Sequence, residues 1–515
     1  MEVRFLPPER AGSGGGPSSL QERTELPTSR ASSRAPDGGS RAGSSLAAVV
    51  LAAGKGKRLR SGTPKVLHPI CGRPALWWSL RNVAAVRPSR IVIVVHHGAD
   101  EVRDAVRSWG IKPAPVFVEQ GEALGTGHAV LAAEDAVGRV REVVVVGGDF
   151  DPVLPEHMRR LLSVHRRTKS AGTILTTEVA EPGGYARIVR DGSRLVRIVE
   201  GTDAPPELKR LHEVSLLVFA FRRADLFRGL PLVGRENRQG EYYLNEVFPI
   251  LMDKGERISA VNVDAGGAMG INSRGDLAGT ARVVRERINA EHMSKGVTLV
   301  DPASTFIDVD VRIGTDTVIH PLTFLEGSTR IAERAEIGPS TRIVDSRIDE
   351  EAIVQFSVVR GARVGKGAQV GPFAHVRPST VLQERAKVGA FVEIKAARVG
   401  RRSKVPHLSY VGDASIGEDV NIGAATVTVN YDGYEKHQTD IEDDARIGSD
   451  TMLVAPVRIG RGAVTGAGSV ITKDVPPGAL AVERSEQRVV EGYRKRKDDE
   501  AKARGKRKPK GKGAH

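Results

Sequence analysis

Residues 51–68, LAAGKGKRLRSGTPKVLH, place Gly54 and Gly56 directly behind an apolar run and surround them with Lys55, Lys57, Arg58 and Lys65. Glycines let a backbone come close to a phosphate chain, and the cations neutralise it. The chemistry this string suits is the binding or transfer of a phosphate-bearing nucleotide. A second polar group lies far down the chain. The Ile/Val-rich stretch there carries many cations, Arg377, Lys395 and Lys436 among them, and so many call for an anionic ligand.

The elements that must hold these residues follow two periods. LAAVVLAAG from Leu46, RIVIVV (90–95), VVVVGGD (143–149), AGTILTTEV (171–179) and EVSLLVFAF (213–221) read as buried strands alternating with helical stretches, which implies a mostly parallel α/β sheet. The second half repeats every six residues. Ile307, Ile313, Ile319, Leu325, Ile331, Ile337 and Ile343 form one run, Val358, Val364, Val370, Val376, Leu382, Val388 and Ile394 a second, and Ile441, Ile447, Leu453 and Ile459 a third. Glycine follows several of these rungs. Period six with glycine-rich turns predicts a parallel β-helix whose coils bury their faces only by stacking. Five-residue steps at Ile343, Ile348, Ile353 and Val358, at Ile394 and Val399, and at Val411 and Ile416 read as shortened corners. The one large interruption is AATVTVNYDGYEKHQTD, between Ile422 and Ile441, where a solenoid carries function.

Composition narrows the class. The chain has 515 residues, enough for two substantial cores, and its 4% aromatic content suits an Ile/Val solenoid. One cysteine, Cys71, excludes an intrachain disulfide and points to a reducing compartment. No apolar run reaches the ~20 residues of a membrane span, and the N-terminus lacks the apolar core of a secretory signal. The expectation is a cytoplasmic enzyme. Of the net charge of +14, half sits in residues 491–515, which hold 11 Lys/Arg and 4 Asp/Glu. That location argues for a solvated basic tail with no specific nucleic-acid partner. The expected organisation is a disordered extension (1–45), a nucleotidyltransferase domain (46–273), a linker helix (274–299), a β-helix (300–490) and a disordered tail (491–515).

The strand, the G-x-G-x-R loop and the following Pro-Lys resemble the signature of sugar-nucleotide pyrophosphorylases. With the β-helix attached, residues 46–490 resemble the bifunctional bacterial N-acetylglucosamine-1-phosphate uridyltransferase / glucosamine-1-phosphate acetyltransferase family (the GlmU family). QGEALGTGHA (120–129), GGYARI (183–188), QGEYYLNE (239–246), GINSR (270–274), GPFAHVRP (371–378), FVEIKAARVG (391–400), HLSYVGDA (407–414), NIGAATVTVNYDG (421–433) and GSDTMLVAPV (448–457) carry the resemblance in order. It implies a Rossmann-like nucleotidyltransferase followed by a left-handed parallel β-helix. The implied activity is acetyl transfer from acetyl-CoA to glucosamine 1-phosphate, then uridylyl transfer from UTP to N-acetylglucosamine 1-phosphate.

The same resemblance implies the sites. Leu51, Ala52, Ala53, Gly54, Arg58, Lys65, Gln120, Gly125, Thr126, Ala186, Glu200, Ser215 and Asn272 would meet UTP or the UDP-sugar. Gln120 and the Gly125–Thr126 pair would read the uracil, Arg58 and Lys65 would hold the triphosphate, and Asp149 with Asn272 would carry Mg²⁺. In-line attack on the α-phosphorus asks mainly for positioning and charge neutralisation. At the other end His407 would be the general base, since a free imidazole titrates near ~6.5, with Glu393 orienting or charge-tuning it. Arg377, Lys395, Tyr410, Asn421 and Lys436 would bind the sugar phosphate, and Ala424, Asn430, Tyr431, Ser449, Ala467 and Arg484 the acetyl-CoA. Such β-helices resemble homotrimers with sites between neighbouring coils, and the insertion would reach an adjacent subunit.

Several positions depart from the family pattern. Lys57 replaces a Ser or Thr of the loop, one residue is inserted after Asp149, Ala186 replaces a glycine, Thr202 stands where a Lys is usual, and Ser215 replaces an Asn. These crowd or strip the sugar side, so a competing expectation is a working acetyltransferase joined to a degraded or retargeted nucleotidyltransferase. Ala425 stands where the acetyl end usually has glycine. A non-catalytic solenoid scaffold has no reason to keep Arg377, Lys395, His407, Tyr410 and Lys436 together.

Overall fold

Runs of four to ten residues rich in Val, Ile and Leu, apolar on both faces, build a sheet whose two sides must both be covered. The strands are β1 (Leu46–Ala52), β2 (Arg90–Val95), β3 (Val116–Glu119), β4 (Glu142–Gly147), β5 (Gly172–Glu178), β6 (Glu213–Arg222) and β7 (Ile258–Asn262). Their order across the sheet is β7-β5-β6-β4-β1-β2-β3. Only β6 runs antiparallel to its neighbours β4 and β5, while β1 lies parallel between β2 and β4. A hairpin, Arg187–Asp191 and Arg194–Val199, attaches to β6 through Arg187 and Val214. The computed structural model describes residues 46–149, 153–192, 194–264 and 270–504; the expected disordered extension 1–45 and the expected insertion after Asp149 lie outside them.

The linker helix spans Arg274–Ser294. It starts at a capping box in which Ser273 Oγ accepts from Asp276 N at 3.1 Å and Asp276 Oδ2 accepts from Ser273 N at 2.8 Å. Its Val284 and Ile288 share one apolar cluster with Leu59, Ile70 and Trp78 of the first domain and Ile307 and Ile319 of the solenoid. The two domains are therefore packed on a common core.

The solenoid has three parallel faces of 11, 10 and 9 strands. On the second face, Ile307, Leu325, Ile343, Val359, Val376, Ile394 and Val411 stack in register, one per coil. Glycines follow the rungs because coils touch there: a Cβ on Gly365 would lie 2.7 Å from Leu382 O, and one on Gly448 2.5 Å from Ala467 N. Buried threonines take the turn positions, and Thr323, Thr329 and Thr451 each donate to a carbonyl of their own corner at 2.7–2.8 Å.

Two rungs differ from the expected register. Ile353 pairs with Glu336 and Gln369 on the outward column, whereas Val354 pairs with Ile337 and Val370 and is buried. Likewise Val359, not Val358, pairs with Ile343 and points inward. Adjacent aliphatics made the two columns indistinguishable by residue type, and the shortened steps fall from Ile343 to Ile348 and from Val354 through Val359 to Val364. The large insertion is also shorter than expected. Thr428 occupies the rung after Ile422, buried and in register with Leu453, its hydroxyl bonded to Gly412 N and O at 2.8 and 3.0 Å. The excursion proper is residues 430–438. Finally, the tail expected to be disordered contains an exposed helix, Tyr493–Ala503, with i,i+3 and i,i+4 ion pairs at Lys497–Glu500 and Arg494–Asp498. Among the described residues no helix is long and apolar enough to cross a membrane.

The register makes an expected outcome. Val359→Ala should lower unfolding free energy by about 2 kcal/mol through a core cavity, and Val358→Ala by no more than about 0.5 kcal/mol. Urea midpoints of the two variants check it, and equal losses would restore the five-residue reading.

Candidate functional site

A cavity of 560 Å³ opens at the C-terminal ends of β1 and β4, where an α/β sheet holds ligands. Leu51, Ala53, Gly54, Arg58, Lys65, Gln120, Gly125, Thr126 and Asp149 line it, nine of the positions expected from sequence, and Ala52 is buried at the end of β1 beside them. Gly56 has φ +59, and a Cβ there would lie 2.8 Å from Lys65 Cβ, so the loop can turn over that lysine only as glycine. Gly125 is equally constrained, since a Cβ would lie 2.6 Å from Tyr242 O. Gln120 is buried, and its Nε2 donates to Gly125 O at 2.9 Å, which fixes the amide toward the cavity wall. Thr126 Oγ1 accepts from Leu244 N at 3.0 Å.

Asp149 and Asn272 converge on one cation. Lys65 Nζ lies 2.5 Å from Asp149 Oδ2 and donates to Asn272 Oδ1 at 2.9 Å. The two residues come from the end of β4 and from the segment before the linker helix, 123 positions apart in sequence. Asn272 N in turn donates to Asp276 Oδ2 at 3.0 Å, so the helix cap sets its position. Two hard oxygens meeting at one positive charge are a donor set that fits Mg²⁺, which keeps most of its shell as water.

The remaining expected sugar-side residues form a neighbouring group rather than the lining of that cavity. Ser215 N donates to Ala186 O at 2.9 Å, and Ser215 Oγ donates to Leu216 O at 3.1 Å, so this hydroxyl is spent within its own strand. Glu200 Oε1 accepts from Asn245 Nδ2 at 2.6 Å. Burial pushes the Glu200 carboxyl above the usual carboxylate range, with Glu246, Asp203 and Glu241 adding to the shift. Tyr185 Oη accepts from Gly270 N, which ties the hairpin to the approach to Asn272. Thr202 Oγ1 donates to Asp203 Oδ2 at 3.3 Å. Asn245 and the cavity-lining Glu241 and Leu217 were not among the residues expected from sequence, although two of them lie in QGEYYLNE.

On the solenoid, His407 is exposed at the end of strand Lys404–His407, one residue before the corner at Leu408. Ala425 N donates to His407 O at 3.2 Å, Asp450 N to Ala424 O at 2.7 Å, Gly468 N to Ser449 O at 2.8 Å and Arg484 Nη1 to Ala467 O at 3.1 Å. These bonds stack His407, Ala424, Ser449, Ala467 and Arg484 along one corner, coil over coil. Asn421 lies on the same face, in register with Lys404. The adjoining face carries Arg377, Lys395 and Tyr410. Arg377 Nη1 donates to Glu393 Oε1 at 2.7 Å, so one oxygen of the carboxylate expected to orient or charge-tune His407 is engaged with the arginine. Lys395 Nζ lies 3.5 Å from Asp413 Oδ2, and contact with Lys395 holds Lys436 below the ordinary lysine value.

The excursion carrying Tyr431 and Lys436 is organised by Asp432. Its carboxylate accepts from Tyr434 N and Glu435 N at 2.8 and 2.7 Å and meets His437 Nε2 at 2.8 Å. Those bonds, the Glu435 amide first, hold its carboxyl below the usual range. Tyr431 remains exposed, its hydroxyl donating to Gly433 O at 2.7 Å. Asp413 was not singled out from sequence, where it is one more polar corner residue.

Residues 48–223 match a family model described as MobA-like NTP transferase domain, and residues 439–473 one described as bacterial transferase hexapeptide (six repeats). The chain is 46% identical over 453 residues to "Bifunctional protein GlmU" of Heliobacterium modesticaldum, covering 87% of this chain and 98% of that protein. The protein of the same name from Streptomyces avermitilis is 47% identical, with 88% and 94% covered. That from Halalkalibacterium halodurans is 43% identical, with 88% and 99% covered.

Ala425 makes a further expectation. Its φ is +61, a left-handed conformation that a Cβ penalises. Ala425→Gly should raise unfolding free energy by about 0.5–1 kcal/mol, the strain relieved exceeding the entropy glycine adds to the unfolded chain. A urea midpoint unchanged or lowered in Ala425→Gly would contradict this.

Proposed function

The chain belongs to the bifunctional GlmU family, and we propose that it makes UDP-N-acetylglucosamine in two steps at two separate sites. In the first, His407 takes a proton from the ammonium of glucosamine 1-phosphate. The freed amine attacks the acetyl-CoA thioester, a C–N bond forms, the C–S bond breaks and the CoA thiol leaves. Arg377, Lys395, Tyr410, Asn421 and Lys436 hold the sugar phosphate, and the corner column of Ala424, Asn430, Tyr431, Ser449, Ala467 and Arg484 holds acetyl-CoA. In the second step the phosphate of N-acetylglucosamine 1-phosphate attacks the α-phosphorus of UTP and pyrophosphate leaves. The glycine loop, Arg58 and Lys65 receive the triphosphate, and Gln120, Gly125 and Thr126 face the uracil.

The observation that carries the second step is the convergence of Asp149 and Asn272 on one cation at the edge of the 560 Å³ cavity. Asp149 and Asn272 would hold Mg²⁺, which would supply charge neutralisation of the phosphates. A second reading, acetyl transfer joined to a retargeted first domain, is favoured by Ser215, whose hydroxyl is already bonded to Leu216 O. One purified sample separates them. Glucosamine 1-phosphate and acetyl-CoA should release thiol, and N-acetylglucosamine 1-phosphate with UTP and Mg²⁺ should release pyrophosphate. His407→Ala should lose the first by at least about 100-fold and keep the second, and Lys65→Ala should do the reverse. Thiol without pyrophosphate would favour the second reading, and neither product would sink both.

The reading includes a homotrimer in the cytoplasm, where UTP and acetyl-CoA are available. What supports association is an apolar column beside His407. Phe356, Phe373, Phe391 and Leu408 are 38, 56, 60 and 61% exposed on successive coils, with ring centroids 5.7 and 5.3 Å apart. Sedimentation should give a trimer that Phe391→Asp dissociates, with thiol release lost and pyrophosphate release kept. A fully active monomer would refute it.

A further inference from the structure

Asp413 sits at a solenoid corner in a left-handed conformation, φ +48, between the two ends of the excursion that carries Tyr431 and Lys436. Its carboxylate accepts from Asn430 Nδ2, at the start of that excursion, and its main-chain carbonyl accepts from Thr439 N at 3.2 Å, at the end. The excursion is closed on itself by His437 N donating to Asn430 O at 2.9 Å. The same carboxylate lies 3.5 Å from Lys395 Nζ, and Asp413 N donates to Lys395 O at 3.1 Å. Lys395 and Asp413 side chains are only 21% and 22% exposed, so this charge pair is screened less than the surface pairs of the solenoid.

A carboxylate can only accept, so the atom of Asn430 that faces Asp413 has to be the amide nitrogen. The amide is therefore fixed, and Asn430 Oδ1 is the atom left for a ligand N–H. Room for this arrangement depends on the neighbouring glycine. A Cβ on Gly412 would lie 2.5 Å from Tyr410 Oη and 2.9 Å from Asn430 Nδ2. Tyr410, Asn430 and Asp413 thus meet over a position where no side chain fits, and Lys395 joins them from the preceding coil.

We propose that Asp413 is the positioning residue of the acetyl-transfer site. It clamps the two roots of the excursion, fixes the Asn430 amide with its carbonyl oxygen free on the acetyl-CoA side, where the thioester meets the amine of the amino-sugar substrate, and holds Lys395 for the phosphate. The proposal rests on the acetyl-transfer reading above. Asp413 touches no reacting atom, and its effect passes through Asn430 and Lys395. Losing the carboxylate charge releases the lysine and lets the Asn430 amide rotate, because an asparagine in its place offers a donor as readily as an acceptor.

The test is a double-mutant cycle on the full chain with Asp413→Asn and Asn430→Ala, reading thiol release with glucosamine 1-phosphate as the varied substrate. Pyrophosphate release in the same samples reports the integrity of the rest of the chain. Asp413→Asn should lower kcat/KM for acetyl transfer by at least about tenfold and leave pyrophosphate release at the wild-type rate. In the Asn430→Ala background the same change should cost severalfold less, since most of its route is already gone. Equal losses in both backgrounds would overturn the proposal, as would an unfolded solenoid in Asp413→Asn by circular dichroism. Asp413→Glu, which keeps the acceptor and charge one methylene further out, should recover part of the loss; no recovery counts against the clamp. Absence of thiol release in the wild-type chain would instead remove the acetyl-transfer reading itself.

Discussion

The capping box at the start of the linker helix is the constraint on which the two halves of the molecule depend. The Asp276 carboxylate binds the amides of Asn272 and Ser273, and Ser273 Oγ returns a bond to Asp276 N. This arrangement satisfies amides that a helix start leaves orphaned, and it also fixes Asn272, which accepts from Lys65. The same helix then buries Val284 and Ile288 against the first solenoid coils. Lys65 has its own tether. The hairpin that follows it, Pro69–Ile70 and Arg73–Pro74, reaches the solenoid through Val309 N to Cys71 O at 3.1 Å and an Arg73–Asp310 ion pair. Gly72 makes the approach possible, since a Cβ there would fall 2.5 Å from Asp308 Cγ. Asn272 and Lys65 are thus both braced on the second domain. Burial at this junction also pushes the Cys71 thiol up to about 12, which makes it a packing residue rather than a nucleophile.

The acetyl end is built by a different device. A solenoid repeats its backbone every coil at the ~4.8 Å spacing of paired strands, so a residue type placed once per coil becomes a column. On the second face this sets Arg377, Lys395 and Gly412 in one line and His375, Glu393 and Tyr410 in the next. Bringing two cations within one or two strand spacings is unfavourable without counter-charge, and Glu393 and Asp413 supply it. Each carboxylate engages one cation, Glu393 the arginine and Asp413 the lysine. The corner, where the backbone must turn left-handed, is where side chains from adjoining faces can meet; Asp413 lies at such a turn and His407 next to one.

Most of this was legible in the sequence because solenoids and parallel sheets declare themselves by period. The α/β strands appear within a residue or two of their apolar runs, and the hexad ladder holds from Ile307 to Ile348. It slips at Ile353 and Val358 because each is followed by a second aliphatic, and only pairing separates Ile353 from Val354. Thr428 hid a rung because a hydroxyl bonded on both sides to Gly412 passes for a polar loop residue. The tail helix was missed because its charges alternate in sign at helical spacing, a local effect that net charge does not register. Of the sites, the glycine loop was readable from residues alone. Asn272 and Asp149 were paired only through family resemblance, and Asp413 escaped both, because its importance lies in joining two ends of a loop that sequence separates.

Ala425 shows how a site of this kind limits its own sequence. Its backbone must be left-handed for its amide to reach His407 O, and that bond aligns the coil that carries Ala424 with the one that carries the imidazole. Glycine would meet the requirement without strain. The methyl group instead stiffens the corner in the unfolded and folded chain alike, and it sits beside the column formed by Ala424, Ser449 and Ala467. Elsewhere the solenoid tolerates the same strain repeatedly, with Arg334, Arg385, Arg402 and Asp419 all at φ +55 to +59. At two of those corners ion pairs reach the neighbouring coil, Arg334 to Glu351 at 3.4 Å and Arg402 to Asp419 at 2.5 Å. Ala425 has no such charge, so the strain at that corner is balanced by its main-chain bond to His407 O and by stacking between coils. The corner beside His407 is therefore held by main-chain hydrogen bonding and packing rather than by charged side chains.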